Sequence, residues 1–254
     1  MRALYDLGRY LPSFNIAEWI VQAEALGATK VIFDVREMRH DKWPSPFNWR
    51  RFESICLPMP ALIGLAHEVF DRGTTAPTEA QDIAKPGGAS LVQFWNSGKR
   101  FKRLRTVRPH VKCRYTVTLR KTQRSPGRNS DESVWREFAK EIGAWVIPDY
   151  DDAPTHLHER MALYAGAEMN FFVSNGPGVL CSLSEYPMMM FCAHHAWGSY
   201  KGDGMGEWGA QYPWALPQHR SIWEDATRES LRRHFRHWKD TGGWLDCPPK
   251  PAAP

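Results

Sequence analysis

Apolar positions along the chain switch repeatedly between a two-residue and a 3.6-residue period, the alternation expected of strand and helix in an α/β protein. Arg2 to Leu7 reads as a strand. Ile16, Trp19, Ile20, Ala23 and Leu26 then fall on one helical face, with Asn15 as expected N-cap, Glu18 completing a capping box and Gly27 as the stop. The β-branched run Lys30 to Val35 supplies a second strand, so the opening predicts a βαβ unit with Asp6 and Asp34 at the strand ends. A Trp/Pro-rich connection leads to a helix near Arg50 to Cys56 and an apolar segment around Leu62 to Val69. Gly73 to Gly88, rich in Thr, Pro, Ala and Gly, reads as a linker or mobile loop.

The second half is more regular. Cys113 to Leu119 alternates as a strand. Val134, Trp135, Phe138, Ala139 and Ile142 form an amphipathic helix that starts near Ser130 and ends at Gly143. Ala144 to Pro148 is a buried strand and His156 to Ala167 a helix. Asn170 to Ser174, Gly176-Pro177-Gly178 and Pro187 to Phe191 then read as strand, tight turn with a short helix, and strand. Strands alternating with helices predict an α/β fold with two Rossmann-like halves, the N-terminal one reduced and the C-terminal one a parallel doubly wound sheet. The expected division is an acceptor-side half over 1–95, a nucleotide-binding half over 96–245 and a disordered tail over 246–254. Ligands on such sheets bind at the carboxyl ends of the strands, which here carry Arg120, Asp149 and Ser174-Asn175.

Composition adds two constraints. At 254 residues, 43 % hydrophobic and 13 % aromatic, the chain has ample material for an ordered core. No apolar run reaches membrane-spanning length and no signal-like stretch opens the sequence, so a cytoplasmic location is expected. Cys56, Cys113, Cys181, Cys192 and Cys247 are widely spaced without a C-x-x-C pair and read mostly as reduced core residues. His194-His195 lacks a companion carboxylate or thiolate cluster, and no metal is expected. Charge changes the picture more. The net charge is a modest +5, yet Lys99 to Arg128 holds twelve Lys or Arg and no Asp or Glu. A second basic group, Arg228, Arg232, Arg233, Arg236 and Lys239, falls on a predicted C-terminal helix.

The series Thr118-Leu119-Arg120, Arg128-Asn129-Ser130, Val146 to Asp149, Ser174-Asn175-Gly176-Pro177 and Pro187 to Phe191 resembles the donor-binding half of GT-B type glycosyltransferases, including the fucosyltransferase-like branch. The likeness covers about half the chain, and Gly206 to Asp225 is similar to the returning loop before the last helix of such enzymes. It implies a metal-independent glycosyltransferase with no cofactor beyond a nucleotide-sugar co-substrate. The donor site it implies comprises Arg120, Lys121, Arg128, Asn129, Asp149, Ser174, Asn175, Gly176, Pro177, Gly178, Gln218 and Asp225. Guanidinium forks suit diphosphate oxygens, and close-packed glycines let main-chain N–H groups approach an anion. Asp151 and Asp152 are further candidates for ribose or base, against the alternative of a solvated acidic loop.

An inverting transfer needs a base for the acceptor proton, and Asp6 and Asp34, with Glu37 behind them, are the candidates from the first half. A retaining enzyme needs none, and a buried or capping aspartate is the alternative for both. The basic run exceeds what one diphosphate requires. Its surplus, represented by Lys99, Arg100, Lys102, Arg103 and Arg105 with Phe94, Trp95, Phe101 and Tyr115 interspersed, favours DNA carrying a hydroxylated base as acceptor. A glycan or lipid-linked saccharide is the competing acceptor, and a non-catalytic nucleic-acid or nucleotide-binding protein on the same scaffold is the rival class. The missing G-x-G-x-x-G after the first strand argues against an oxidoreductase.

Overall fold

A computed structural model describes residues 1–38, 45–71, 79–83, 86–109, 111–122, 126–150, 154–174, 176–192 and 208–246. The first half contains β1 (Arg2–Asp6), α1 (Asn15–Ala25), β2 (Lys30–Asp34), α2 (Ser45–Arg51), β3 (Ala66–Phe70), β4 (Ala80–Gln81) and α3 (Gly88–Asn96). A π-helical turn (Phe52–Cys56) and a 3₁₀ turn (Met59–Ile63) link α2 to β3. The second half contains β5 (Tyr115–Lys121), α4 (Glu132–Ile142), β6 (Trp145–Tyr150), α5 (Leu157–Ala165), β7 (Met169–Val173), α6 (Gly176–Ser182), β8 (Met188–Phe191), β9 (His219–Ile222) and α7 (Arg228–Thr241).

Two parallel sheets result, ordered β3-β2-β1-β4 and β6-β5-β7-β8-β9. The expected fold class, two Rossmann-like halves with the first reduced, is the one observed. Period-two alternation makes the second sheet doubly wound. Tyr115, Val117, Leu119, Phe171 and Val173 join one apolar cluster with Trp135 of α4 and Phe235 of α7, whereas Ile147 and Phe172 join another with Met161 of α5 and Leu180 of α6. That second cluster continues without a break into the first half, through Ala3, Tyr5, Phe14, Ile16 and Trp19. The halves therefore share one core, with Phe14 and α6 at the seam.

Local signals account for most boundaries. Asp131 caps α4 by accepting from the N–H groups of Ser133 and Val134, and Gly143 ends it with φ of 68°. Helix α1 starts one residue earlier than expected: Phe14 is the N-cap, without a side-chain cap bond, and Asn15 lies inside the helix. Burial of Phe14 (2 % exposed) sets that boundary in place of a capping side chain. The stretch read as a linker contains β4, and the segment read as a loop before the last helix contains β9. Tail residues 247–254 lie outside the described region.

Candidate functional site at the carboxyl edge of the second sheet

Register decides which side chains meet. Arg120 pairs with Asp149 across β5 and β6, and Thr118 pairs with Phe172 across β5 and β7, which carries Arg120 into line with Ser174 just past β7. Asp149, Arg120 and Ser174 thus form one row across three adjacent strands. Alternation puts all three on the sheet face that carries the shared core, because Ile147, Thr118 and Phe172 point that way. In a sheet ordered like this one, the gap between the first strand, β5, and the third, β7, is the topological switch point where ligands bind.

The loop after β5 completes the row. The Arg120 guanidinium donates to Asn129 Oδ1 (2.9 Å), and its backbone N–H donates to Ser130 Oγ (2.9 Å). Asn129 is itself fixed by exchanging hydrogen bonds with Thr122 (2.9 and 3.1 Å). From this anchored loop Arg128 reaches over the switch point and donates to both the carbonyl and the hydroxyl of Ser174, each at 3.1 Å, while its buried Nε has no partner among the described residues. Beneath the row, Arg160 of α5 is fully buried. It donates to Pro148 O (2.9 Å) and to Tyr164 Oη (3.1 Å), with its guanidinium carbon 5.5 Å from the Phe14 ring centroid. The Tyr164 hydroxyl, pushed up to about 12 by burial, stays protonated and lies 2.9 Å from Thr118 Oγ1. Arg160, at 3.8 Å, and Arg120, its register partner, thus flank one carboxylate, Asp149.

Other expected donor contacts fall differently. Lys121 alternates to the opposite face and sits 5.8 Å from the Tyr150 ring centroid. Pro177 and Gly178 are buried in α6. A Cβ on Gly176 would stand 2.9 Å from Phe14 Cβ, so the glycine permits the close packing of the two halves, a different use from the ligand approach expected of it. Gln218 precedes β9 at the amino edge of the sheet, where it donates to Glu185 O (3.2 Å). The Asp225 carbonyl accepts from Ser230 Oγ (2.7 Å) at the start of α7. Asn175, Asp151, Asp152, His194, His195 and Cys247 lie outside the described residues.

The two aspartates of the first half also pair in register, but they share the face of Ile32, opposite the one carrying Ala3, Tyr5, Val31 and Phe33 into the shared core. Asp34 is bound through both oxygens by Arg36 (2.9 and 2.7 Å), and those hydrogen bonds hold its carboxyl below the ordinary range. Asp6 accepts the N–H groups of Gly8 (2.8 Å) and Arg9 (3.2 Å) through Oδ1 alone.

The basic run is partly tied into the fold, although Lys99, Arg100, Lys102, Arg105 and Arg108 stay exposed. Residues 99–109 cross between the halves, with the Leu104 N–H on Leu183 O (2.8 Å) and the Arg105 N–H on Leu62 O (2.7 Å). Arg103 donates to three carbonyls, Ser182 and Ser184 at 3.2 Å and Trp214 at 2.6 Å. Lys102 pairs with Glu24, Arg100 lies 4.2 Å over Trp95, and Lys99 lies 5.4 Å from the Phe94 ring. The Arg105 guanidinium fills the space beside Gly64, 2.7 Å from where a Cβ would be. Of the aromatic residues expected to stack on bases, Tyr115 and Phe94 are buried, and Trp95 and Phe101 pack on Trp214. The second basic group is similarly engaged. An open hollow of about 540 Å³ runs along α7 beside Arg228, Arg232, Arg233 and Arg236, which pair with Glu137, Glu141 and Glu224.

Sequence reasoning missed Arg160, Glu224 and His234. Arg160 carried a signal, a cation on the otherwise apolar face of Leu157, Met161 and Tyr164. Glu224, at the end of β9, is driven up by burial but more strongly down by hydrogen bonds from His234 and Arg233. Among the described residues no group of three His, Cys, Asp or Glu could hold a metal, and no helix is long and apolar enough to cross a membrane.

No protein-family model and no curated protein matches the chain. Among solved structures it is similar to the iron-containing dodecameric glycosyltransferase TibC of enterotoxigenic E. coli, at 13 % identity and a TM-score of 0.46. The match covers 96 % of this chain and 66 % of that one, so the chain spans a little under two thirds of its neighbour's length. A likeness of that degree says nothing of activity, which is argued below from the residues.

Proposed function

We propose that this protein transfers a sugar from a nucleotide-sugar donor to a hydroxyl acceptor, with the donor's diphosphate held at the end of β5 and β7. The observation that carries the reading is the cluster at the switch point, Arg128 on Ser174 and Arg120 on Asn129 of the same loop. Two guanidinium groups, one nine-tenths buried and both braced by a hydrogen-bonded loop, stand where an anion is expected on a parallel sheet. As the glycosidic C–O bond breaks, negative charge develops on the leaving diphosphate, and preorganised donors in a low-dielectric site stabilise it. Asn129, Ser174 and the first turn of α6 complete the phosphate side, and Asp149 borders the nucleoside side.

Of the two carboxylates expected to receive the acceptor's proton, Asp34 has both oxygens bound by Arg36. Asp6 keeps Oδ2 without a donor among the described residues and is the candidate base from this half. The acceptor is a hydroxyl compound. A hydroxylated base in DNA gains no support beyond the exposed cations of that run, Arg103 being taken up by three carbonyls.

A thermal-shift panel of nucleotide sugars, with and without duplex DNA, tests the reading. A ligand at about 100 times its Kd raises stability by roughly 2.7 kcal/mol. At least one nucleotide sugar should raise Tm, and Arg120→Ala should remove that shift while the unliganded protein stays folded. An unchanged shift in the variant removes Arg120 from the site. A shift with DNA alone favours the non-catalytic binding class.

A further inference from the structure

Charge is unequal at the two edges that the parallel sheets share. Phe14, past β1, packs on Gly176, past β7, which brings the carboxyl ends of both sheets to one side. Residues 99–109 link the opposite, amino ends: the Arg105 N–H meets Leu62 O before β3, and the Leu104 N–H meets Leu183 O after α6. Asp6, Asp34, Asp71, Asp82, Asp149 and Glu224 stand at strand ends, or just past them, on the carboxyl side. The amino side carries the basic run, in which no Asp or Glu occurs from Lys99 to Arg128. Lys99, Arg100, Arg105, Arg108 and Lys112 are exposed there, and none pairs with a carboxylate among the described residues.

Apolar side chains accompany those cations. Trp145, the first residue of β6, is 51 % exposed, and Val111 is 40 % exposed. Alternation puts Trp145 on the face of Ile147, toward α5, and a Cβ on Gly166, just after α5, would run into the Val111 carbonyl. The two therefore share the α5 side of the amino edge. Phosphate contacts alone need no such residues. An exposed tryptophan among cations suits a bilayer interface, where the indole sits at headgroup level and Lys or Arg meet anionic lipid. A nucleic acid fits less well. A duplex groove is read by a helix or a strand ribbon, and the described residues from 97 to 114 form neither. Phe94 is buried, Trp95 lies under Arg100 and Phe101 packs on Trp214, which leaves these rings engaged where single-strand binding needs them free.

We propose that this amino edge docks on an anionic lipid bilayer, with Lys99 to Lys112 against the headgroups and Trp145 at the interface. The acid-rich carboxyl edge then faces away from the negative surface. The inference stands apart from the donor-site reading, because no residue of the Arg120 row takes part.

Co-sedimentation of the full chain with vesicles tests it, using phosphatidylcholine alone and phosphatidylcholine with about 30 % phosphatidylserine. Wild-type protein should bind the anionic vesicles at about 0.1 M salt, leave them at about 1 M, where the Debye length falls to about 3 Å, and ignore the neutral ones. Each basic residue near an anionic surface is worth roughly fivefold in partitioning, so Arg108→Glu with Lys112→Glu should weaken binding by at least about twenty-fivefold. Trp145→Thr should weaken vesicle binding by about threefold or more and leave affinity for duplex DNA unchanged. Both variants alter exposed side chains and should keep the wild-type Tm; if the charge reversal does not fold, Lys99→Glu with Lys112→Glu replaces it. Absence of binding to anionic vesicles, equal binding to neutral ones, or variants that bind as the wild type does would overturn the proposal. Duplex DNA that binds more tightly than the vesicles, with Trp145→Thr affecting neither, would overturn it too and make the edge a nucleic-acid face.

Discussion

Two rows at the carboxyl ends of the sheets, Phe70-Asp34-Asp6 in the first half and Asp149-Arg120 with Ser174 just beyond β7 in the second, carry opposite chemistry. In the first row the carboxylates are bound by their own neighbours two or three residues on, Gly8, Arg9 and Arg36. In the second, the guanidinium groups are supported from behind by Asn129 and Tyr164. A strand end whose charge is satisfied locally serves a turn, whereas one whose support comes from elsewhere in the fold serves a ligand. On the proposed reading that contrast puts donor binding in the second half, although both halves share a parallel architecture.

The largest effect is expected at the seam joining the two rows. Phe14→Ala should cost about 3–5 kcal/mol, the usual range for a buried phenylalanine, and chemical denaturation should remain a single transition because the core is continuous. Separate unfolding of the halves would break the picture of one shared core.

Next comes the buried side of the second sheet's amino edge, which the account treats as structural. His219 is buried beside Arg103, and burial followed by that charge lowers its pKa to about 4. The folded protein therefore binds this proton less tightly than the unfolded chain, whose value is about 6.5. Stability should be complete above that value and fall by about 3 kcal/mol as pH drops to 4. The decline should flatten in His219→Asn, whose amide oxygen can still accept the Leu216 N–H. A pH series of denaturation midpoints that is identical in the two proteins would contradict it.

Within the crossing segment, Arg103→Ala should cost about 2 kcal/mol, because three carbonyls lose a charged donor. Lys102→Ala removes an exposed ion pair and should cost about 0–1 kcal/mol. Equal costs, or parallel loss of affinity for DNA in both variants, would restore the basic run as a DNA-binding face. The smallest effect concerns Asp34. Its folded pKa lies below the ordinary 3.8, so the Arg36 pair contributes stability above that pH and loses it as acid titrates the carboxylate. Asp34→Asn should weaken the acid-induced loss of Tm below about pH 4 and leave sugar transfer unchanged. Abolished transfer with unchanged stability would make Asp34 catalytic.

Much of this architecture is legible in the residues, because strands such as Lys30 to Asp34 and helices such as Glu132 to Ile142 carry unambiguous periods and stops. Strand β9 is not, since four residues, His219 to Ile222, show no period and pair only once β8 is in place. Arg120, Asp149 and Ser174 could be placed at one sheet edge from strand ends alone, whereas their common face needed the register. The basic run is only partly legible for a related reason. Charge is visible in sequence, but the carbonyls of Ser182, Ser184 and Trp214 that engage Arg103 are backbone groups about 80 to 110 positions away. Gly176 misled similarly, because its close neighbour is Phe14, far off in the chain.

Titration of a nucleoside diphosphate into wild-type protein, Arg128→Ala and Asp6→Asn tests the central contrast most directly. The account predicts that Arg128→Ala weakens binding by roughly ten- to a hundredfold and that Asp6→Asn binds as the wild type does. Equal affinity of Arg128→Ala and wild type, or loss confined to Asp6→Asn, would contradict it.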